Sequence, residues 1–468
     1  MLALQGAAGC CRRVYEKLWK QRKGQTEKIL VLGGLGTILG YVFRPMSGAE
    51  GSVIVQYLTL PGDLLTKCIT MVVPMLLFTN LSTALGEMKS QPGAVEMGKI
   101  LFLWWVLTSI AAAGIGVLVA TCIIIPCIKQ TENFRITSNA TGIGPFLKVA
   151  VDSTLQPTEA VKLLVPSNFI AAVKMDDLIS VGMVAVVVGL ILVVPNPSKE
   201  VDEGAGDGHE IENKYGLYGA LAELNIVCMR ATHYLVLFTP FAIFSLMIES
   251  GATLSLKGMA INLGILYGSI VGGLLFFSFV VLPVLFFLFT GSSVYPHLKN
   301  FRKIGFVAFS TSSSIATLPV NITLSIEKLG VHPSIAKLVC SVGASLNMNG
   351  TTLSNIVIAS FITQSRGFQM TLTAMLKIAA DSILLAAVSP PVPGGGKHYV
   401  NIARHIGAGI AGKSSLQSLI LGLDWISDRS STVVNVVGDY LACYIIQTYA
   451  VRRGLLKELD WARKSMDL

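Results

Sequence analysis

Three aspartates lie close together in one of the last apolar stretches of the sequence, DWISDRSSTVVNVVGD at 424–439. On a helix with 3.6 residues per turn, the polar residues of this segment fall on one stripe because they are spaced 4, 3, 1, 3 and 4 apart. They are Asp424, Asp428, Ser431, Thr432, Asn435 and Asp439. A carboxylate in the middle of a bilayer costs about 2.5–3.5 kcal/mol to insert and must face a partner or a cavity. The stripe therefore needs cations.

Two sources of positive charge can satisfy such a stripe. One is an ion-pair network that joins helices, but Arg429, the nearest fixed cation, lies one position off the stripe. The other is a mobile cation, either Na⁺ or the ammonium group of a substrate, both of which bind hard oxygen ligands. We favour the mobile cation because NMNGT at 347–351 has a glycine after an asparagine, which invites local unwinding and frees carbonyl oxygens for an ion.

The elements around these motifs are apolar but interrupted. FSTSSSIATLPV at 309–320 and SPPVPGGGKHYVN at 389–401 break two late hydrophobic stretches. Inside hydrocarbon, non-helical backbone survives only against protein or a water-filled cavity. The pattern indicates two repeated half-units, each a broken hairpin followed by a helix, although small residues that pack between helices are the simpler alternative for any one segment.

The composition is that of a membrane protein. The chain has 468 residues, of which 52% are hydrophobic and 13% charged, whereas a soluble protein carries about a quarter charged residues. Ile100–Cys127 and Ala260–Thr290 contain no charge, and runs of about 18 such residues are typical of membrane-spanning helices. The sequence therefore predicts an all-α polytopic membrane protein.

The net charge of +9 is concentrated beside the apolar spans and so does not indicate nucleic-acid binding. Basic clusters precede the first span, lie near 299–303 and follow the last span, which predicts that both termini are cytoplasmic. Spans are predicted near 29–43, 66–85, 98–127, 167–195, 217–250 and 258–291, the fourth shortened or broken at Lys174, Asp176 and Asp177. The polar segment 128–166 is then extracellular and contains a glycosylation candidate, Asn139, while 196–216 is a cytoplasmic loop.

Three motifs, taken in order and spacing, resemble the dicarboxylate/amino acid:cation symporter family of excitatory amino-acid transporters and neutral amino-acid exchangers. They are TSSSIATLP at 311–319, NMNGT at 347–351 and the segment 424–439. The similarity extends to 44–85 and covers most of the chain outside the two polar loops.

The resemblance implies a homotrimer in the plasma membrane that works as an elevator. Each protomer would have inverted repeats, eight transmembrane helices and two re-entrant helical hairpins, with hairpin tips at 305–322 and 386–412. Helices 1, 2, 4 and 5 would form a scaffold and the others a mobile transport domain. The expected segments are a cytoplasmic N-terminus (1–28), transmembrane helices 1–3 (29–127), an extracellular loop (128–166), the end of scaffold helix 4 (167–195), a cytoplasmic loop (196–216), transmembrane helices 5–6 (217–291), a transport core of both hairpins with helices 7 and 8 (300–452) and a cytoplasmic C-terminus (453–468).

The resemblance also assigns site residues. Asp428 would bind the substrate ammonium, Thr432 and Asn435 the α-carboxylate, and Thr351 would face the substrate side chain. The main chain of Ser312, Ser313 and Ser314 would assist. One Na⁺ site would use the carbonyls of Gly343 and Asn347 with Asn435 and Asp439, a second Met348, Thr351 and the second hairpin, and a third Thr108, Ser109 and the Asn347 side chain.

Departures from the family pattern bear on substrate and ion number. Ser431 replaces an arginine that grips the second carboxylate of acidic substrates, which favours a small neutral amino acid. Asn355 replaces a glutamate of the potassium-coupled members, which argues against proton and K⁺ counter-transport. Asn349 replaces an aspartate that supports the third Na⁺, so we expect two or three ions with the third site weakened or lost.

The second hairpin carries unusual charges, namely Lys397, His398, Arg404 and His405. If Lys397 or Arg404 takes the role of the missing arginine, the protein would bind an anionic substrate. The alternative is that both side chains lie in water at the extracellular mouth. The predicted function is sodium-coupled symport or exchange of small neutral amino acids. The alternatives are an acidic amino-acid or dicarboxylate transporter that uses these cations, and a protein that is chiefly an anion channel or a non-transporting sensor. An enzyme is not expected, because no nucleophile and base fall on adjoining faces.

Overall fold

The computed structural model describes residues 25–43, 49–90, 94–129, 168–174, 178–192, 216–253, 256–365, 370–387 and 415–454. Within these ranges the chain is helical and contains no strand, in agreement with the predicted all-α class. The predictions for the N-terminus, Asn139, both polar loops, the second hairpin with its four basic residues and the C-terminal segment beyond residue 454 lie outside the described residues.

Sixteen α-helices lie in the described ranges and are numbered in chain order. The first eight are α1 (Gln25–Phe43), α2 (Ala49–Ser90), α3 (Ala94–Val119), α4 (Ile125–Lys129), α5 (Phe169–Lys174), α6 (Leu178–Ile191), α7 (Gly216–Leu237) and α8 (Thr239–Thr253). The remainder are α9 (Leu256–Phe276), α10 (Leu282–Thr290), α11 (Leu298–Thr311), α12 (Ser314–Leu329), α13 (Pro333–Leu346), α14 (Asn349–Ser365), α15 (Leu372–Ala387) and α16 (Ser415–Arg452). A π-helical turn joins α3 to α4 and another joins α9 to α10, so each pair forms one continuous rod.

These two rods are the helices long and apolar enough to cross a bilayer in the described part of the chain. They comprise Glu96–Cys127 and Ala260–Thr290, which matches the two uncharged runs of the sequence. The predicted span 217–250 differs, because it is two helices that meet at Phe238. Pro240 lies in the first turn of α8, where its missing N–H leaves no helical hydrogen bond unmade, so a new helix begins there readily.

Helices α1 and α8 pack through glycines. A Cβ at Gly36 would overlap the carbonyl oxygen of Phe244, and one at Gly40 would overlap that of Ile248. From the other side, a Cβ at Gly251 would overlap the carbonyl oxygen of Thr37. Small residues at such intervals allow close backbone approach, the usual way in which helices associate without a hydrophobic driving force in lipid. We call these contacts the α1–α8 seam.

The main hydrophobic core lies between α3, the α9–α10 rod, α13, α14 and α16. Trp104, Phe286 and Phe361 are fully buried in it, and Trp104 meets Phe289 edge-on with ring centroids 5.5 Å apart. Four of the core elements, α3, α13, α14 and α16, carry Thr108 and Ser109 and the motifs at 347–351 and 424–439, while the motif at 311–319 lies on α11 and α12. The core therefore fixes these motifs relative to one another.

The predicted first hairpin is a pair of helices that meet at a serine-rich junction. Helix α11 ends at Thr311, Ser312 adopts a left-handed conformation with φ of 50°, and α12 begins at Ser314. The Ser313 hydroxyl caps α12 by accepting a hydrogen bond from the Ala316 N–H at 3.3 Å. All three serines are buried, and both helices pack against α16.

Candidate functional site

The helix break predicted at NMNGT is confirmed. Helix α13 ends at Leu346, Asn347 and Met348 are non-helical, and α14 begins at Asn349. Asn347 has φ of −88° and ψ of 73°, which turns the chain out of the helix. Asn347 and Asn349 are fully buried, so their amide groups must be satisfied inside the protein.

The amides of the break form a chain of hydrogen bonds that ends at a carboxylate. The Ser109 hydroxyl on α3 donates to Asn349 Oδ1 at 3.1 Å, and Asn349 Nδ2 donates to Asn347 Oδ1 at 2.7 Å. Asn347 Nδ2 then donates to Asp439 Oδ1 on α16 at 2.8 Å. Because an ionised carboxylate only accepts hydrogen bonds, Asp439 sets the direction of the whole chain. We call these four residues the asparagine chain.

Asp439 is only 1% exposed and has little room around it. Its carboxylate lies against the backbone of Gly343, where a Cβ would overlap Oδ1, and Gly438 leaves space for the Asn347 amide. Within the described part of the chain, Asn347 is the hydrogen-bond donor to Asp439 and no lysine or arginine forms an ion pair with it. Burial of a carboxylate without a cation is costly, so this is the place in the site where a positive ion is most needed.

A second group of polar atoms lies one turn away around Asn435. Asn435 Oδ1 accepts from the Gly350 N–H at 2.7 Å, while Asn435 Nδ2 lies 3.3 Å from Thr351 Oγ1 and 3.1 Å from Met348 Sδ. The structure thus places Met348 and Thr351, the described members of the second predicted Na⁺ site, beside Asn435, which was assigned to the first.

Ser431 is occupied by contacts with α14. Its hydroxyl lies 2.7 Å from Ser354 Oγ and donates to the carbonyl oxygen of Gly350 at 3.1 Å. The main chain of Gly350 is therefore hydrogen-bonded at its N–H to Asn435 and at its carbonyl to Ser431. Ser354 was not predicted as a site residue, although its four-residue spacing from Gly350 puts it on the same face of α14.

The remaining residues of the α16 stripe are nearer the start of the helix. Asp424 is buried and accepts a hydrogen bond from Ser427 Oγ at 3.3 Å, and Asp428 is half-buried. The Thr432 hydroxyl bonds to the carbonyl of Asp428 at 2.7 Å. Arg429 donates to the Trp425 carbonyl at 3.3 Å and lies over the Trp425 ring, 5.4 Å from its centroid.

The third predicted Na⁺ site differs in detail from the expectation. Ser109 contacts Asn349 and reaches Asn347 only through it. The Thr108 hydroxyl bonds back to the carbonyls of Trp104 and Trp105 at 2.9 and 3.1 Å. Threonine hydroxyls commonly bond in this way to the preceding turn, which keeps Thr108 within α3.

Comparison with known proteins identifies the family. The profile of the Sodium:dicarboxylate symporter family matches residues 27–449. The chain belongs to this family. It is 26% identical to the Neutral amino acid transporter B(0) of Rattus norvegicus over 483 aligned residues, which cover 95% of this chain and 84% of the relative. It is 22% identical to the Excitatory amino acid transporter 2 of Homo sapiens, over 91% of this chain and 78% of the relative.

A third relative is the Excitatory amino acid transporter of Caenorhabditis elegans, 24% identical over 89% of this chain and 86% of its own length. The family is thus one of sodium-dependent amino-acid transporters rather than enzymes, and its named members include both neutral and excitatory types.

The residues of the site fit the sodium ion that the family implies. Hard cations prefer carboxylate, amide, hydroxyl and carbonyl oxygens. Asp439, Asn347, Asn349 and Ser109 supply oxygens of these types in one connected group. The Asn347 and Asn349 amides are oriented so that they donate towards Asp439. A cation beside the carboxylate would favour the opposite orientation, with the amide oxygens turned towards the ion.

Proposed function

We propose that this symporter-family member carries small neutral amino acids, by symport or exchange, together with two or three Na⁺ ions. The observation that carries the proposal is the pair of hydrogen bonds made by the Ser431 hydroxyl. A neutral, short side chain bonded to Ser354 and Gly350 stands where an arginine would be needed to pair an acidic substrate. A second carboxylate buried there without a cation would cost several kcal/mol.

The proposed cation sites use the oxygens around the helix break. Asp439 and Asn435, with the Gly343 and Asn347 carbonyls, are the ligands of the first ion, and Met348 and Thr351 contribute to the second. Asp439 supports this assignment because it is buried beside Gly343 with an amide as its donor. Ser109 and Asn349 would contribute to a third, weaker ion, because a neutral amide attracts a cation less than a carboxylate does.

The proposed substrate site follows the stripe of α16. Asp428 would pair with the ammonium group, and Thr432 and Asn435, with the main chain of Ser312 to Ser314, would hold the carboxylate. The half-exposed position of Asp428 supports its role, since the groups deeper in the stripe are buried. No further group is required to transform the substrate, which crosses unchanged.

Movement across the membrane is proposed to follow an elevator mechanism in a homotrimer with cytoplasmic termini. Its scaffold would contain α1, α2 and the helices from α5 to α8, and its transport domain α3, α4, the α9–α10 rod and the helices from α11 to α16. The α1–α8 seam supports the scaffold assignment, because contacts between backbones through glycine suit a part that does not rearrange.

The decisive experiment is radiolabelled uptake into proteoliposomes, with a panel of amino acids and with or without an inward Na⁺ gradient. We expect Na⁺-dependent uptake of serine, alanine or threonine, and the vesicles should also be preloaded with unlabelled amino acid so that obligate exchange is detected. Asp428→Asn should abolish this uptake because the ammonium group loses its counter-ion. Anion current without labelled uptake would instead favour a channel.

Substrate class is tested by Ser431→Arg, for which Ser354→Gly provides room in a double variant. We expect aspartate to become an effective competitor, at least in the double variant, because the guanidinium pairs with a second carboxylate. Ser430→Arg, one position off the stripe, is the matched control. Unchanged competition by aspartate in both Ser431 variants would contradict the assignment.

A further inference from the structure

Two cysteines meet directly behind the candidate cation site. Cys340 on α13 and Cys443 on α16 are both fully buried, and their Sγ atoms are 3.4 Å apart. Cys340 precedes Gly343 by three residues, and Cys443 follows Asp439 by four. The thiol pair therefore lies one helical turn from the contact between Gly343 and the Asp439 carboxylate.

We propose that Cys340 and Cys443 are a modification site at which a reversible disulfide joins α13 to α16 and stops transport. A disulfide has an S–S length of about 2.05 Å, so the two sulfurs must approach by only ~1.4 Å. Among the other cysteines of the described ranges, Cys68, Cys122 and Cys228 form no such pair there.

The oxidant is a small neutral peroxide such as hydrogen peroxide. One thiol gives up its proton and its sulfur attacks the peroxide, which breaks the O–O bond and yields a sulfenic acid and water. The second sulfur then displaces hydroxide from the sulfenic acid, forming the S–S bond and a second water with the released proton. Two thiols and one peroxide thus become one disulfide and two waters, and an added dithiol reverses the oxidation by exchange.

Access to the thiols is expected to depend on the state of the cation site, and this step rests on the proposed function. A buried thiol in apolar surroundings is unreactive while the protein stays closed. An ion that reaches Asp439 must open the packing between α13 and α16, because Gly343 and the carboxylate are already in contact. In the Na⁺-free protein this opening recurs and exposes Cys340 and Cys443, whereas in the Na⁺-bound protein the site is filled and has closed again. The Na⁺-free protein should therefore be oxidised faster than the Na⁺-bound protein.

The effect on transport follows from the same geometry. An ion can bind between the Gly343 carbonyl and Asp439 only if the two helices adjust around it. A covalent link one turn away opposes that adjustment and holds α13 against α16. The disulfide should therefore reduce Na⁺ binding first and amino-acid uptake as a consequence.

The test treats the purified full-length protein in proteoliposomes with hydrogen peroxide, in Na⁺ or in choline buffer, and then blocks free thiols. Mass spectrometry after digestion measures the peptide that links Cys340 to Cys443, and uptake is measured before and after dithiothreitol. We expect the linked peptide to form several times faster in choline, with loss of uptake that dithiothreitol restores. Cys340→Ser and Cys443→Ser should transport normally and resist peroxide, whereas the exposed-cysteine control Cys122→Ser should behave as the parent.

The readouts separate this inference from the proposed function. Absence of the linked peptide in choline, or its formation without loss of uptake, would overturn the disulfide proposal. Equal formation rates in Na⁺ and choline would overturn the dependence on the cation site. A reduced protein that takes up no amino acid would count against the transport function, while the linked peptide still decides the disulfide. If a serine variant fails to fold, Cys340→Ala or Cys443→Ala replaces it.

Discussion

Glycine allows close contact between helices in two regions of this protein, but the atoms that approach the glycine differ between them. In the α1–α8 seam, the atoms that approach Gly36, Gly40 and Gly251 are backbone carbonyl oxygens of the facing helix. At the cation site, the atoms that approach Gly343 and Gly438 belong to side chains, namely the Asp439 carboxylate and the Asn347 amide.

The difference separates a fixed contact from an adjustable one. Backbone carbonyls in a helix are held by its hydrogen bonds, so the seam cannot yield without moving a whole helix. A carboxylate or an amide can rotate about its own side-chain bonds when an ion arrives, so the helices around it need to adjust only slightly. The same residue type thus provides rigidity in one region and room for coordination in the other, and a methyl group added in each region should have different consequences.

The largest effect on the folded state is expected at the seam. Gly40→Ala places a methyl group on the Ile248 carbonyl oxygen and close to the Ala252 N–H, so the helices must separate. We expect a loss of about 3 kcal/mol, at the upper end for overpacking. Gly34→Ala is the matched control, because nothing lies within 4 Å of its Cβ and alanine favours the helix. Thermal unfolding in detergent measures both, and equal stability of the two variants would contradict the seam.

The largest effect on ion binding is expected at Gly343. Gly343→Ala puts a methyl group on the Asp439 carboxylate, which can rotate away, so the protein should remain folded. We expect the half-saturating Na⁺ concentration for uptake to rise about tenfold or more, equivalent to ~1.4 kcal/mol of lost ion binding. Gly264→Ala on α9, with open space at its Cβ, is the control. Unfolding comparable to that of Gly40→Ala would show that both regions are rigid.

A smaller and opposite effect is expected at Asn349. Asn349→Asp adds a second carboxylate two hydrogen bonds from Asp439, so the Na⁺-free protein should become less stable and the Na⁺-bound protein more stable. We expect several-fold tighter Na⁺ binding, measured by calorimetry and by the shift of the unfolding temperature with Na⁺. Asn349→Leu, of similar size and without oxygen, is the control and should weaken binding. Tighter binding by both variants would exclude an electrostatic cause.

Features fixed by local rules were predictable from the sequence. The helix break at Asn347 was predicted because an asparagine–glycine pair weakens a helix locally. The polar stripe of α16 was predicted because helical periodicity alone assigns its members to one face. The boundary at Phe238 was not predicted, since the apolar run continues through Pro240 and hydropathy does not distinguish one bent helix from two.

Features that depend on packing between distant segments were not predictable. The contacts of Ser431 with Ser354 and of Cys340 with Cys443 join residues separated by 77 and 103 positions, and no periodicity relates them. The third proposed ion site shows the same limit. The resemblance grouped Thr108 and Ser109 with Asn347, but adjacent positions on a helix point about 100° apart, so only one of the two reaches the asparagine chain.

The difference between Thr108 and Ser109 gives the smallest expected effect and the most sensitive test of the cation site. Ser109→Ala removes one hydrogen bond, worth about 1 kcal/mol, from the end of the asparagine chain and should raise the half-saturating Na⁺ concentration about fivefold. Thr108→Val keeps the shape of the side chain and removes only bonds to carbonyls of its own helix, so it should change that concentration less than twofold. Sodium titration of uptake, with expression matched between the variants, measures both. A larger effect at Thr108 would mean that its hydroxyl leaves the Trp104 and Trp105 carbonyls to bind the ion, and that α3 adjusts on ion binding together with α13 and α14.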